Sequence, residues 1–336
     1  MRWRTGWPAR KDDPGTMDGM LLLKLLEEAE GGFVSGEALS RRLGVSRTAV
    51  WKQIRKLEEE GYAIEAVPRL GYRLAGKPPR LSPLALQAAL RTARFGRQMR
   101  FYECVGSTQD ILHEWAREGA PEGALVIAER QTSGRGRMGR SWVSPAGKGV
   151  WMSLLLRPEL PLALAPQLPL LASVALARGI KAAAGLDVSV KWPNDLMLNG
   201  KKVCGVLLES SAENERLVYV VTGIGISANL DPEDFPAELA EKATSLKMAG
   251  GREVDRAELI AAVLEAFEEL YDLYREKGFA PVRLMWEALA ESLHRPVELR
   301  TPAGIVRGTA RGLDDYGGLL VEREDGTVAP VYSVLL

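Results

Sequence analysis

The feature that most constrains the fold of this chain is a set of three short helical patterns within its first sixty residues. Leucines surround a short helix over residues 20–29, which carries acidic residues toward its end. The sequence Ser35-Gly36-Glu37 signals the start of a second helix, and Gly44 ends it. The glycine leaves a short turn before the next helical pattern.

The third helical pattern is amphipathic. Ser46 is placed to cap its beginning, and Gly61 ends it. Its apolar residues Val50, Ile54 and Leu57 are spaced four and three apart, so they lie on one face of a helix. The opposite face is polar.

Two short strands around a turn complete this region. We predict strands at residues 62–67 and 72–74, with a turn at 68–71. Helix, helix, turn, helix and hairpin is the plan of a winged helix-turn-helix, which we assign to residues 18–75. Residues 76–83 are rich in glycine and proline and are predicted to be a linker.

The third helix has the polarity of a DNA-recognition helix, because it carries no acid before Glu58 and the hairpin adds two arginines. Such side chains can reach base edges and phosphates in a major groove. The alternative is the solvated face of a protein-binding winged helix; position, polarity and the basic hairpin favour DNA. The candidate DNA-binding residues are Ser46, Arg47, Thr48, Lys52, Gln53, Arg55, Arg69 and Arg73.

Charge and cysteine usage restrict the other classes of function. The formal net charge is zero, so a nucleic-acid site must be a local basic patch. Cys104 and Cys204 lack metal-binding spacing, so we expect no structural metal and a reducing, cytoplasmic setting.

Residues 1–17 lack the apolar core of a signal peptide and are predicted to be a disordered arm. Prolines and an arginine interrupt residues 160–180, so no membrane span is expected.

From about residue 84 helical and strand patterns alternate. Asn199-Gly200 between two apolar runs predicts a type I′ hairpin turn. These patterns predict an α+β domain with a mixed sheet over residues 84–292, and glycine-separated strands from 293 to 336 predict a small SH3-like β-barrel. The expected strands of the larger domain are 99–105, 125–129, 150–156, 188–192, 202–208 and 217–224, and its expected helices are 108–118, 168–184 and 256–277.

The most specific segment of the chain is GRGRMGRSW, residues 134–142, which follows a predicted strand. Its three glycines allow the backbone to approach a ligand closely. Its three arginines supply planar, bidentate donors for carboxylate and phosphate. The spacing differs from that of a Walker phosphate loop or a dinucleotide fingerprint. A basic loop that binds nucleic acid is the alternative.

Two further segments follow predicted strands. In KWPND, Lys191 lies at the end of a predicted strand. A lysine there can bind an α-phosphate or an acyl oxygen, or it can be an ordinary surface residue before a turn. The segment GIGIS, residues 223–227, enters a glycine-rich turn and is a weak signal by itself.

Together these segments, with KVCGVLLE at residues 202–209, closely resemble the biotin–protein ligases, and the winged helix points to the bifunctional ligase and biotin operon repressor type. The resemblance covers about residues 18–336. It implies that the biotin carboxylate attacks the α-phosphate of MgATP to form biotinyl-5′-AMP and pyrophosphate. A lysine of a biotin carboxyl carrier protein then takes the biotinyl group as an amide.

The resemblance also implies site residues at matching positions. The expected catalytic residues are Arg135, Arg137 and Lys191. The expected biotin-binding residues are Ser107, Thr108, Gln109, Gln131, Arg135, Gly136, Arg137, Lys191 and Gly205. The expected ATP- and adenylate-binding residues are Arg137, Arg140, Trp142, Asn194, Lys202, Ser227 and Asn229.

The chain departs from the family pattern at three points. Gln109 replaces an asparagine but keeps an amide, and Ser227 stands where the family commonly has asparagine. The chain stops at Leu336, where relatives often continue with a basic residue. The last two departures bear on nucleotide binding and leave the main constellation intact.

The implied ligands and partners are biotin, ATP, Mg²⁺, the carrier protein and operator DNA, with biotinyl-AMP as corepressor of biotin genes. We further expect a ligand-promoted homodimer and no membrane partner. Two alternatives remain open at this point. A ligand-sensing repressor without ligase activity is disfavoured by the arginine loop and Lys191. A lipoate–protein ligase is disfavoured by the biotin-type loop and the winged helix.

Overall fold

The computed structural model describes residues 14–59, 61–76, 81–301 and 304–332. The chain forms two compact units, one ending at Leu90 and one beginning at Arg91.

The first unit is a winged helix-turn-helix, as the sequence predicts. Buried residues of its three helices, among them Leu22, Leu39 and Ile54, form one apolar cluster. Ser35 and Ser46 each accept a hydrogen bond from the backbone N–H three residues later, so both expected caps are present. Its elements are α1 (Pro14–Glu27), α2 (Gly36–Leu43), α3 (Arg47–Glu59), β1 (Ala63–Val67), β2 (Gly71–Gly76) and α4 (Pro83–Ala89).

The boundaries of this unit differ from the sequence prediction at both ends. Helix α1 begins at Pro14, so residues 14–17 of the expected disordered arm are helical, while residues 1–13 lie outside the described residues. Helix α4 belongs to the first unit, although we assigned residues from 84 onward to the second domain. Its Leu84 is buried in the apolar cluster of the first unit, and this burial holds the helix there.

The second unit contains a seven-stranded mixed sheet in the order β3-β4-β5-β9-β8-β7-β6. Only the β3–β4 pair is parallel. Strand β5 is buried along its whole length, as expected for a strand covered on both faces. The strands are β3 (Met99–Val105), β4 (Leu125–Gln131), β5 (Val150–Leu156), β6 (Ser189–Lys191), β7 (Asp195–Leu198), β8 (Lys201–Glu213) and β9 (Arg216–Ile226).

The predicted turn between β7 and β8 is confirmed. Asn199 and Gly200 have φ of 52° and 74°, the left-handed values that a type I′ turn requires at both central residues. The turn brings β8 back along β7, and β8 then pairs with β9 through a second hairpin. This register sets Gly205 opposite Gly225.

Helices cover the sheet. α5 packs its buried Leu112 and Ala116 against residues of β4, β5 and β9. α6 and α8 pack closely together, since a Cβ at Gly179 would lie 2.5 Å from Cα of Val263. The helices are α5 (Thr108–Arg117), α6 (Gln167–Ala184), α7 (Leu246–Gly250), α8 (Arg256–Lys277) and α9 (Ala280–Leu289); α7 and α9 were not predicted.

The apolar helix α6 belongs to the protein core. Within the described residues, Leu162–Ala184 is the one segment long and apolar enough to cross a membrane by composition, and 67% of its most apolar window is buried inside the protein. Packing against α8 and the sheet therefore accounts for its composition.

The C-terminal strands form an open four-stranded antiparallel sheet in the order β10-β11-β12-β13. Among the described residues, β10 and β13 do not pair, so the small barrel that we expected is not closed. The antiparallel order is compatible with a small SH3-like barrel. The strands are β10 (Pro296–Thr301), β11 (Gly304–Leu313), β12 (Leu319–Glu322) and β13 (Val328–Val331).

Candidate active site

A cavity of about 520 Å³ opens beside β8 and β9. It is closed on one side by the segment 134–142 and on another by residues 235–243. The structure brings nearly all of the predicted site residues to this one cavity. Those that line it are Ser107, Thr108, Gln109, Gln131, Arg135, Gly136, Arg137, Arg140, Trp142, Lys191, Asn194, Lys202, Gly205 and Ser227.

Asn229 is the exception. Its side-chain amide donates to the carbonyl of Val254 at 2.9 Å and accepts from the N–H of Val254 at 2.8 Å. Both ends of the amide are therefore used to hold the chain before α8, and Asn229 does not line the cavity. Its expected contact with ATP is not supported by this position.

One end of the cavity is lined by neutral hydroxyl and amide groups. Ser107 caps α5, and Thr108 donates through its N–H and its hydroxyl to Oε1 of Gln131 at 2.9 and 3.0 Å. Ser153 Oγ lies 2.8 Å from Oγ1 of Thr108 and donates to Oε1 of Gln109 at 3.0 Å. This end suits an uncharged polar group that both donates and accepts hydrogen bonds.

Ser153 is a member of this network that the sequence analysis missed. It is fully buried on β5, within the otherwise apolar run VWMSLLL. A lone hydroxyl in such a run was the available signal, because a buried polar group needs a partner.

The segment 134–142 is folded back on itself. Arg135 and Ser141 form an isolated β-bridge, and the N–H of Trp142 donates to the carbonyl of Gly134 at 2.8 Å. A Cβ at Gly134 would lie 2.6 Å from that tryptophan's carbonyl oxygen, so the fold of this loop requires glycine here. The tip is a short 3-10 turn, Arg137–Gly139.

Two arginines of this loop have different surroundings. Arg135 makes a two-pronged ion pair with Asp110 at 2.8 and 2.9 Å, and this hydrogen bonding raises the pKa of Arg135. Arg137 has one long contact, 3.5 Å to Oδ1 of Asn194, and burial lowers its pKa. Arg137 is therefore a cation whose charge is not neutralised by a contacting acid.

Two of the three lysines that line the cavity differ in the same way. Lys202 pairs with Oδ1 of Asp195 at 2.6 Å and lies 5.2 Å from the centre of the Trp142 ring. Lys191, at the end of β6, is exposed and makes no ion pair within the described ranges. Lys191 and Arg137, like Arg140 and Lys242, therefore line the cavity without an ion pair in the described ranges and are free to neutralise a bound anion.

Trp142 forms a flat wall of the cavity. A Cβ at Gly225 would lie 2.5 Å from its indole ring, and one at Gly205 would lie 2.9 Å away. These two glycines, opposite each other on β8 and β9, let the ring lie directly on the sheet. A planar aromatic wall of this kind suits stacking by a flat ligand ring.

The far wall, residues 235–243, was missed by the sequence analysis. It contributes Phe235 and Leu239 to the cavity, and no motif in this segment signals a ligand contact. Its start is held by ion pairs, since Asp231 contacts both Lys148 and Lys247 and these lysines lower the pKa of the Asp231 carboxyl. Long-range pairing, which sequence spacing does not encode, thus places this wall.

The predicted DNA-binding residues lie on α3 and the hairpin, but several are paired with acids. Arg47 pairs with Glu37, Arg55 with Glu58, and Arg73 with Glu65. Arg73 also lies 4.7 Å from the ring centre of Phe33. Of the predicted DNA-binding residues, Lys52 and Arg69 are exposed cations without an ion pair in the described ranges, and Thr48 is also exposed.

Gln53, another predicted DNA contact, is placed differently from the expectation, whereas Ser46 makes the helix cap that the sequence predicts. Gln53 is half-buried, and a Cβ at Gly19 would lie 3.3 Å from its amide oxygen, which is buried. This side chain therefore turns toward α1 rather than outward. Ser46 uses its hydroxyl as the helix cap.

No group of three or more His, Cys, Asp or Glu side chains arranged to hold a metal occurs in the part of the chain that the structure describes. Cys204 is buried, which raises the pKa of its thiol, and Cys104 is exposed.

Sequence profiles match three parts of the chain. The Biotin/lipoate A/B protein ligase family matches residues 101–227, an HTH domain matches residues 20–73, and the Biotin protein ligase C terminal domain matches residues 293–333. These ranges coincide with the mixed sheet and its cavity, the winged helix-turn-helix and the open C-terminal sheet.

Whole-chain relatives combine the same parts. The bifunctional ligase/repressor BirA of Bacillus subtilis (strain 168) is 47% identical over 312 residues, 93% of this chain and 96% of the relative. The protein of the same name from Escherichia coli (strain K12) is 32% identical over 93% of this chain and 95% of the relative. Among solved structures, the biotin protein ligase from Aquifex aeolicus in complex with biotin and ATP has a TM-score of 0.62 at 32% identity, covering 71% of this chain and 97% of that one.

Proposed function

Because this chain belongs to the family of bifunctional biotin–protein ligases and repressors, we propose that its cavity joins biotin to AMP and then releases biotin to a carrier protein. The chain is an ATP-dependent biotin–protein ligase, and its N-terminal unit is a DNA-binding repressor module. The two alternatives, a repressor without ligase activity and a lipoate ligase, are therefore set aside.

The reaction needs no nucleophile from the protein. A biotin carboxylate oxygen attacks the α-phosphorus of ATP, the bond to the β-phosphate oxygen breaks, and pyrophosphate leaves. The unprotonated amine of a carrier lysine then attacks the acyl carbon of biotinyl-5′-AMP. An amide forms, AMP leaves with the electron pair of the broken C–O bond, and the nitrogen loses a proton to solvent.

The neutral end of the cavity is proposed to bind the biotin ring system. Thr108, Gln131 and Ser107 offer hydroxyl and amide groups, which match a ureido ring that donates through N–H and accepts through its carbonyl. Gln109 is held by Ser153 and by the carbonyl of Leu207, so it shapes this end while its own amide is largely occupied. Gly205 lets the ligand approach β8 closely.

The charged end is proposed to bind the reacting groups. Lys191 and Arg137 carry positive charge that no contacting carboxylate neutralises, and both line the cavity. Charge that develops on the α-phosphate during adenylation is stabilised by such fixed cations. Trp142, with Lys202 and Arg140 beside it, forms the wall on which the adenine of ATP stacks, and Ser227 and Asn194 border it.

The observation that carries this proposal is the presence, in one cavity, of a neutral hydroxyl and amide end and of cations, among them Lys191 and Arg137, that no acid contacts in the described residues. Purified protein with radiolabelled biotin, MgATP and a biotin carrier domain should yield labelled carrier. Equal or better transfer of lipoate to its own acceptor domain would contradict the proposal.

The finer assignments are also proposals. Mg²⁺ enters with ATP, whose triphosphate it neutralises. The protein acts in the cytoplasm, and its DNA target is an operator of biotin genes, with biotinyl-AMP as corepressor. We further propose that the adenylate favours a homodimer, because two recognition helices are needed to contact two half-sites.

A further inference from the structure

One acidic side chain outside the cavity lining contacts three neighbouring side chains. Glu209, on β8, does not line the cavity, yet its Oε2 lies 3.1 Å from the amide nitrogen of Gln109 and 3.4 Å from the guanidinium of Arg135. The ring nitrogen Nε2 of His113 lies 3.1 Å from the same oxygen. One carboxylate oxygen therefore ties together α5, β8 and the loop 134–142.

A second acid holds the same arginine. Asp110, in the first turn of α5, makes the two-pronged pair with Arg135 and also lies outside the cavity lining. Both acids therefore contact Arg135 without lining the cavity. Arg135 is fixed at the base of the loop, whereas Arg137 at its tip has a single long contact.

Glu209 is itself oriented by its neighbours. His113 contacts Glu209 through Nε2, and its other ring nitrogen lies 3.4 Å from the hydroxyl of Tyr219. This arrangement is satisfied when Nε2 carries the proton and donates it to Glu209, while Nδ1 accepts from the tyrosine hydroxyl. The Glu209 side chain is about one-third exposed.

Gln109 is held just as closely. It is buried, its carbonyl accepts from Ser153, and its amide nitrogen donates to Glu209 and to the carbonyl of Leu207. A Cβ at Gly223 would lie 2.9 Å from its side chain, so the amide is also wedged against β9. Loss of Glu209 would free one side of this amide.

We propose that Glu209 and Asp110 are positioning residues, which hold Arg135 and Gln109 in place so that the loop is set for the ligand before it arrives. This inference rests on the proposed function. Neither acid touches the reacting groups; each acts through the cavity residues that it holds. A loop fixed at its base loses less conformational freedom when the ligand binds, which favours binding.

The test compares Glu209→Gln and Asp110→Asn with the full-length wild-type protein in single-turnover and steady-state adenylation, with biotin varied at saturating MgATP. Both variants should raise the KM for biotin by roughly three- to tenfold, as expected for a partly exposed charge-assisted contact, and leave kcat within about twofold. Glu209→Asp keeps the charge and should fall between wild type and Glu209→Gln.

A matched control is available at the other end of α5. Glu118 pairs with Arg100 at 3.4 Å and lies outside the cavity lining. Glu118→Gln removes the charge of an acid paired with an arginine and should leave the KM for biotin unchanged. Melting temperatures of all the variants report whether the fold is intact.

A second measurement does not depend on activity. Trypsin should cut after Arg137 and Arg140 faster in ligand-free Glu209→Gln and Asp110→Asn than in wild type, because the loop base is released. A double-mutant cycle adds the partner: in an Arg135→Met background, Asp110→Asn should change the KM for biotin by less than about twofold.

These readouts separate the possible failures. An unchanged KM and unchanged tryptic cleavage in both variants would overturn the positioning role, as would a loss confined to kcat. Full additivity of Asp110→Asn with Arg135→Met would also overturn it. Absence of biotin transfer by the wild type contradicts the proposed function instead. The cleavage rates still report whether Glu209 and Asp110 hold the base of the loop.

Discussion

At the scale of single residues, the cations of the cavity are divided by whether an acid contacts them. Asp110 pairs with Arg135, and Asp195 pairs with Lys202. No acid contacts Arg137 or Lys191 in the described residues. A cation that already has a carboxylate partner gains less from a new anion, so the cavity cations without one, among them Arg137 and Lys191, are expected to act on the ligand.

The first prediction separates these two residues. Lys191→Ala should mainly slow adenylation, because it removes positive charge from the α-phosphate in the transition state. Arg137→Ala should mainly let biotinyl-AMP escape, roughly tenfold faster or more, since a charge-assisted contact is worth about 1.5–3 kcal/mol. Single-turnover pyrophosphate release measures the first effect, and filter retention of labelled adenylate measures the second.

The control for this pair is Lys181→Ala. Lys181 lies on the exposed end of α6 and pairs with Asp187, away from the cavity. It should match wild type in both assays. Unchanged single-turnover adenylation in Lys191→Ala would show that its assigned role is wrong.

At the scale of elements, the helix-turn-helix presents fewer free cations than its sequence suggests. Arg73 pairs with Glu65 and stacks on Phe33, so a contact with phosphate would compete with both interactions. Lys52, on the exposed face of α3, has no such competitor among the described residues. We therefore expect Lys52 to contribute more to phosphate binding than Arg73.

The second prediction follows from this difference. Lys52→Ala should reduce the slope of log affinity against log salt by about one, the value for one lost phosphate contact, and Arg73→Ala by less than half of that. The probe is a duplex selected from a random pool by wild-type protein with biotin and MgATP. Biotin transfer by both variants serves as the folding control. A larger effect of Arg73→Ala would refute this ranking.

At the scale of the whole molecule, each chain carries one recognition helix. A monomer that contacts one half-site binds weakly at physiological salt, and a second protomer supplies the other half-site. A ligand can favour the dimer only through its differential affinity for the two states. Ordering of the tip of the glycine-rich loop, around Arg137, by the adenylate is the proposed source of that difference.

The third prediction tests this coupling. Sedimentation of the full-length protein should show a larger dimer fraction with biotin and MgATP than without, and affinity for the selected duplex should rise in parallel. A constitutive dimer whose DNA affinity ignores the ligand is the alternative. If the adenylate changes neither dimer fraction nor DNA affinity, the winged helix acts independently of the ligase cavity.

Local patterns determined much of this fold. Strands β3 and β5 and helix α8 have the predicted bounds, because long apolar runs and clear caps leave few alternatives. Helices α7 and α9 were not predicted. Helix α7 has only five residues, which is too few to show a repeating apolar pattern. The C-terminal sheet is compatible with the predicted small barrel, but its closure was not predictable, because closure depends on pairing between strands distant in sequence.

The sequence by itself determined the winged helix, the mixed sheet, the arginine loop and the kinds of side chain at the site. Only the tertiary structure decided which cations are free, because an ion pair forms over a few ångströms and its partners are distant along the chain. Arg135 meets Glu209 across 74 positions, and Arg137 meets Asn194 across 57. The same dependence on three-dimensional packing placed the wall at residues 235–243 and turned Asn229 away from the cavity.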